Sequence, residues 1–127
     1  MENKAFALVG TLLFLTLSAC QHQQASPASW TPENVVGLSI ELIHPTRIEN
    51  YNFLDQAATG KTYVAATLGS KDGPVTGPLL EWRIVDGRLW IGDERISTEF
   101  ILLSRTQDRL IVENRDGSIS EFRVVSQ

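Results

Sequence analysis

From Val36 to the C-terminus, short runs of alternating apolar and polar residues are separated by clusters of Gly, Asp, Asn and Pro. A period of two is typical of strands with one buried face, and no long segment keeps the period of an amphipathic helix. The pattern therefore predicts an all-β fold, an eight-stranded antiparallel meander. The predicted strands cover residues 36–43, 47–54, 61–68, 79–85, 88–92, 97–104, 109–113 and 118–125.

The clearest local signal is the Asp86-Gly87 dipeptide between two alternating runs. Asp-Gly at such a position favours a two-residue hairpin turn, which sets the register of the flanking strands. The register places Arg83 opposite Trp90 on the outer face, where we expect a cation–π contact. The other face is expected to belong to the core and holds Trp82, Ile84, Leu89 and Ile91.

A second hairpin is predicted around Arg115-Asp116-Gly117, with a three-residue loop and Gly117 in the left-handed conformation. This loop length aligns Leu110 with Phe122, so that the apolar side chains of both strands share one face. Segment 70–78 is predicted to be an exposed loop, because its Pro and Gly residues cannot continue a central ladder. The predicted core consists of Leu38, Ile40, Leu42, Phe53, Val64, Leu68, Leu80, Trp82, Ile84, Leu89, Ile91, Phe100, Leu102, Leu110, Val112, Phe122 and Val124.

Several short motifs follow one another along the chain. They are Gly37, Tyr51-Asn52-Phe53, Thr62-Tyr63-Val64, the hairpin from Trp82 to Ile91, Phe100–Leu103, Asp108–Val112 and Ser120–Val124. In this order they resemble the small bacterial lipocalin-like lipoprotein domains, over nearly all of residues 35–125. The resemblance implies a small lipocalin-like barrel, whose interior is filled by side chains or admits one small ligand. A two-sheet β-sandwich is the structural alternative.

The N-terminus carries an apolar run from Ala5 to Leu17, preceded by Lys4 and followed by Ser18-Ala19-Cys20. A short apolar run after a weakly positive start is typical of a secretory signal peptide, and this run is too short to span a bilayer. Small residues directly before the cysteine resemble the lipobox of bacterial lipoproteins. The resemblance implies that the signal peptide, residues 1–19, is removed and that Cys20 is acylated. Because Gln21 is not an aspartate, it also implies sorting to the outer membrane, with the protein on the periplasmic face.

Residues 20–34 are rich in Gln, Ser, Ala and Pro and show no apolar periodicity. They predict a flexible tether between the acylated Cys20 and a β domain of residues 35–127. Trp30 interrupts the polar composition, and we expect it to pack as the first hydrophobe of the domain or to touch the membrane interface.

Composition narrows the possible chemistry. The net charge of −4, without a basic stripe, argues against a nucleic-acid partner. Cys20 is the only cysteine, and the two histidines, His22 and His44, form no ligand cluster, so neither a disulfide nor a metal site is expected. Nucleophilic catalysis needs a base beside the nucleophile, usually a histidine, and the predicted β domain has only His44. The sequence therefore predicts a protein without catalytic residues or cofactors, not an enzyme.

Arg83, Arg88, Trp90 and Arg95 could form one surface cluster, because the first and third are paired by the predicted hairpin. Arginine and tryptophan are enriched at interface hot spots. The sequence thus favours a membrane-anchored, periplasm-facing lipoprotein that acts as a binding module for a small hydrophobic ligand. The alternative is a protein-interaction or inhibitor (immunity) lipoprotein of the cell envelope, with an envelope protein as partner.

Overall fold

The computed structural model describes residues 28–54 and 62–127. The predicted signal peptide and Cys20 lie outside the described residues. Within these two ranges, a one-turn helix, α1 (Pro32–Val35), precedes nine strands. The strands are β1 (Ser39–Leu42), β2 (Arg47–Phe53), β3 (Tyr63–Ser70), β4 (Val75–Thr76), β5 (Leu79–Val85), β6 (Arg88–Gly92), β7 (Ser97–Arg105), β8 (Arg109–Asn114) and β9 (Ile119–Ser126).

Eight of these strands close into an antiparallel up-and-down barrel. The order along the sheet is β2-β1-β9-β8-β7-β6-β5-β3, and β2 also pairs with β3. That closing ladder runs from Arg47 opposite Ser70 to Phe53 opposite Val64. A sandwich would leave unpaired strand edges here, whereas a closed barrel has none. The predicted barrel is therefore confirmed, and the sandwich alternative is wrong.

The ninth strand, β4, is a difference from the sequence prediction, because it lies within the segment 70–78 predicted as a loop. It pairs with the end of β3, with Leu68 opposite Thr76 and Gly69 opposite Val75. A Cβ atom on Gly69 would lie 2.4 Å from the carbonyl oxygen of Pro74, so the absent side chain permits this close approach. Two residues are too few to show an alternating pattern, which is why the sequence does not reveal β4.

Both predicted hairpins are confirmed. Asp86 and Gly87 have positive φ angles of 51° and 76°, as a type I′ turn requires, and Arg83 lies opposite Trp90. In the second hairpin the N–H of Asn114 donates to the carbonyl oxygen of Ser118 at 2.8 Å. Gly117 has a φ of 87° there. The turns therefore fix the registers that their sequences predict.

Inward-facing side chains fill the barrel. Tyr51 lies among three phenylalanines, with ring centroids 6.2 Å from Phe53, 5.9 Å from Phe100 and 6.2 Å from Phe122. All predicted core residues are buried or packed against the core, and Leu42, Leu68, Ile84 and Val124 are the partly buried ones. The core also includes Trp30, Val35, Tyr51 and Ala66, which the predicted core omits.

The segment before β1 covers one end of the barrel, which we call the plugged end. Trp30 is buried, and its Nε1 donates to the carbonyl oxygen of Phe100 at 2.9 Å. Thr31 caps α1, Val35 is fully buried, and Arg105 donates to the carbonyl oxygen of Asn34 at 3.1 Å. The prediction that Trp30 packs as the first hydrophobe of the domain is confirmed.

This plug corrects two boundaries. Residues 30–34, assigned to the tether by composition, belong to the folded domain, because Trp30 anchors them to the barrel. The first strand begins at Ser39 and not at residue 36, since α1 is followed by Gly37 with a φ of 78°. At the opposite end, which we call the open end, β2 begins, β3 ends, and the β6–β7 turn lies.

Candidate functional site

The candidate site lies on the outer face of β5, β6 and β7, around Trp90. The turn at Asp86-Gly87 places Arg83 opposite Trp90, and the Arg83 guanidinium carbon lies 4.2 Å from the indole centroid. Trp90 is half-buried. The predicted cation–π contact is therefore confirmed, and it leaves a large aromatic side chain on the outside of the sheet.

Arg88 lies on the same outer face, and its partner is an acidic residue of the next strand. Glu99 is opposite Trp90 in the β6–β7 ladder, and its carboxylate is 3.6 Å from Arg88 and 3.3 Å from Arg115. Arg88, Trp90 and Glu99 border a depression of about 350 Å³. One carboxylate therefore holds two arginines beside the tryptophan.

Arg95 lies in the β6–β7 turn on the other side of Trp90. The Asp93 carboxylate orders this turn by accepting the N–H groups of Arg95 at 2.7 Å and of Ile96 at 2.9 Å. These hydrogen bonds hold the pKa of Asp93 below its usual value. Trp90 and Arg95 border a second depression of about 580 Å³, which Tyr63, Leu79, Glu81, Gly92, Asp93 and Glu94 also line.

The structure thus places the three predicted arginines around Trp90. Arg83 stacks on it, and Arg88 and Arg95 each share a depression with it. The sequence reasoning missed Glu81, Glu94 and Glu99. The register of β6 with β7 would have identified Glu99, but no two-residue turn connects these strands to fix that register.

A second polar arrangement lies inside the open end of the barrel. The Tyr51 hydroxyl donates to the Glu49 carboxylate at 2.7 Å, and Arg47 lies 3.2 Å from the same carboxylate. Burial, and then the neighbouring negative charge, raises the pKa of Tyr51 far above its usual value. A small depression of about 220 Å³ opens above, lined mainly by Leu68, Leu80, Ile91 and Ile96.

The residues that could be considered for catalysis have structural partners. His44 Nδ1 accepts the backbone N–H groups of Thr46 at 3.1 Å and of Arg47 at 2.9 Å. Glu41 faces outward and contacts Arg123, whereas Glu49 faces inward, so the two carboxylates do not form a pair. Within residues 28–54 and 62–127, no group of three or more His, Cys, Asp and Glu side chains is placed to hold a metal ion.

In the part of the chain that the structure describes, no helix has the length and apolar character needed to cross a membrane. Comparison with known proteins found no matching family model, no matching curated protein and no matching solved structure.

Proposed function

We propose that this protein is a non-enzymatic lipoprotein of the bacterial outer membrane that binds an envelope protein through the surface around Trp90. This surface, which we call the Trp90 surface, consists of Arg83, Arg88, Trp90 and Arg95. The acyl chains on Cys20 hold the protein at the periplasmic face, and several chains together anchor a protein stably.

The observation that carries the proposal is the half-buried Trp90, which stands between two depressions and is contacted by Arg83. Protein interfaces concentrate their binding energy in tryptophan, tyrosine and arginine side chains seated beside pockets. The barrel interior offers less space for a ligand, because aromatic side chains of the core fill it. We therefore favour the protein-interaction function over the binding of a small ligand inside the barrel.

The position of the plug supports an orientation in which the plugged end of the barrel faces the membrane. The chain enters the domain at the plugged end, so the tether from Cys20 reaches the barrel there. The open end and the β6–β7 turn then point away from the anchoring leaflet. The depression beside Arg95 is lined in part by residues of this turn, Asp93, Glu94 and Arg95.

The anchor is tested by replacing Cys20 with serine. We expect Cys20→Ser to abolish incorporation of labelled palmitate and to release the protein from the envelope fraction. His22→Ala, in the neighbouring tether, is the control and should leave both unchanged. Palmitate incorporation that persists in the Cys20→Ser protein would refute the lipoprotein proposal.

Partner binding is tested by site-specific photo-crosslinking in intact cells. A photoreactive residue at position 88 should give a discrete adduct, and Trp90→Ala should remove it. The control is the same residue at position 121 on β9, where Glu121 pairs with Arg109 outside the Trp90 surface. No adduct from position 88, or the same adducts from both positions, would contradict the proposal.

A second candidate function, binding of a small apolar ligand, is favoured by the depression at the open end. Its walls are mostly aliphatic, but its volume of about 220 Å³ is below the roughly 300 Å³ at which ligand pockets commonly begin. It would hold the tip of an aliphatic chain. We expect the probe octanoate to bind there, as followed by the amide NMR signal of Ile91, and Ile96→Asp to weaken its binding. Unchanged probe binding in Ile96→Asp would exclude the site.

A further inference from the structure

We propose that the depression between Trp90 and Tyr63 receives a lysine or arginine side chain of a basic polypeptide partner. The inference rests on the proposed function and specifies the chemistry of the partner. The depression lies on the outer face of β3, β5 and β6, where Tyr63 is opposite Glu81 and Glu81 is opposite Gly92. Glu81 is exposed to solvent and lines this depression.

Within residues 28–54 and 62–127, acidic side chains outnumber basic ones around this depression. Among the residues that the structure describes, neither Glu81 nor Glu94 takes part in an ion pair. Glu99, on the same outer face, differs because Arg88 and Arg115 both neutralise it. Among the described lining residues, Arg95 is the one basic side chain against three carboxylates, and Arg83 adds one more positive charge from its position on Trp90. The depression therefore carries a negative charge that a cation from outside can neutralise.

The walls of the depression suit the long apolar stem of a basic side chain. Leu79 is 58% exposed, and Tyr63 and Trp90 are half-buried aromatic walls. Lysine and arginine bury their methylene groups against apolar surfaces while the charged group keeps polar partners. The contact of Arg83 with Trp90 shows that this face already accommodates one guanidinium group. The volume of about 580 Å³ leaves room for a further side chain with its hydration water.

Charge complementarity also disfavours an acidic side chain in this depression. An acidic side chain in the depression would face Glu81, Glu94 and the ionised Asp93, and like charges at an interface oppose binding. The net charge of −4 of the whole chain acts in the same direction, because it favours the approach of basic partners.

The test uses the full chain in detergent micelles and follows amide and indole signals by NMR. The probes are N-acetyl-arginine amide and N-acetyl-lysine amide, and N-acetyl-citrulline amide is the neutral analogue of the first. We expect saturable shifts of the Trp90 indole and Gly92 amide signals with the two cationic probes, decreasing as salt is added. Equal shifts with citrulline would overturn the inference, because they would not depend on charge.

Variants assign the effect to the carboxylates. We expect Glu81→Gln and Glu94→Gln each to weaken binding of the arginine probe by up to about fivefold, the upper limit for one exposed ion pair. Glu121→Gln changes the net charge equally but lies outside the depression, so it should leave the affinity unchanged. If all three variants bind like the wild type, or weaken equally, the site assignment is wrong.

The outcome is separable from that of the proposed function. A crosslinked partner at position 88 without any probe binding would leave the partner-binding function in place and refute only the cationic site. Probe binding without a crosslinked partner would support the cationic site and refute the partner-binding function.

Discussion

The hydrogen bond between Trp30 and the barrel predicts a measurable contribution of the N-terminal plug to stability. Trp30 and Trp82 are both buried, but only Trp30 Nε1 donates a hydrogen bond, to the carbonyl oxygen of Phe100 at 2.9 Å. Trp82 Nε1 has no partner within the described part of the chain. Replacing each tryptophan by phenylalanine removes the same atoms, so the difference between the two variants reports the loss of the Trp30 hydrogen bond together with the removal of the unpartnered Trp82 donor.

A buried hydrogen bond whose acceptor is left behind contributes about 1–3 kcal/mol. We therefore expect Trp30→Phe to lower the free energy of unfolding by about 1.5 kcal/mol more than Trp82→Phe does. Trp30→Ala, which also empties the plugged end, should cost about 3–5 kcal/mol.

The assay is equilibrium unfolding in urea on the mature chain from residue 21, followed by far-UV circular dichroism, because the substitutions alter tryptophan fluorescence. With a denaturant dependence of about 1.5 kcal/mol per molar, the expected difference displaces the midpoint by about 1 M. If Trp30→Phe is no more destabilised than Trp82→Phe, the hydrogen bond does not hold the plug. A cost below about 1 kcal/mol for Trp30→Ala would show that the plug is not part of the cooperative fold.

Three further predictions follow from other contacts. Because the pKa of Tyr51 is raised on folding, its contribution to stability is complete below about pH 10 and is lost as the pH rises further. Urea unfolding between pH 9 and pH 12 should show that Tyr51→Phe reduces this loss of stability. A pH dependence that is unchanged in Tyr51→Phe would contradict the assignment. A double-mutant cycle with Arg83→Ala and Trp90→Ala should give a coupling energy of about 0.5–1 kcal/mol, and no coupling would mean that the cation–π contact contributes nothing. Gly69→Ala should destabilise the domain by more than about 1 kcal/mol in the same urea assay, because its Cβ would lie 2.4 Å from the Pro74 oxygen. The control is Gly73→Ala, which should be tolerated because the atom nearest to its Cβ is 3.4 Å away.

The candidate site was partly encoded in local sequence. The Asp86-Gly87 turn fixes which residues of β5 and β6 are opposite each other, so the contact between Arg83 and Trp90 can be predicted without any tertiary information. Glu81 lies on the same strand as Arg83. Its neighbours on the adjacent strands are Gly92 on β6 and Tyr63 on β3, and the segment 70–78 separates β3 from β5 in the sequence. No local turn fixes that register, so the depression between Trp90 and Tyr63 could not be predicted.

Local sequence patterns predict eight of the nine strands, both hairpin registers and most of the core, because alternation and turn chemistry act over a few contiguous residues. The tertiary structure alone decided that the sheet closes through β2 and β3, that Trp30 and α1 plug one end, and that Glu99 holds two arginines. These contacts join segments far apart in the chain. They depend on the curvature of the complete sheet and on the space left at its ends, which no short window of sequence contains.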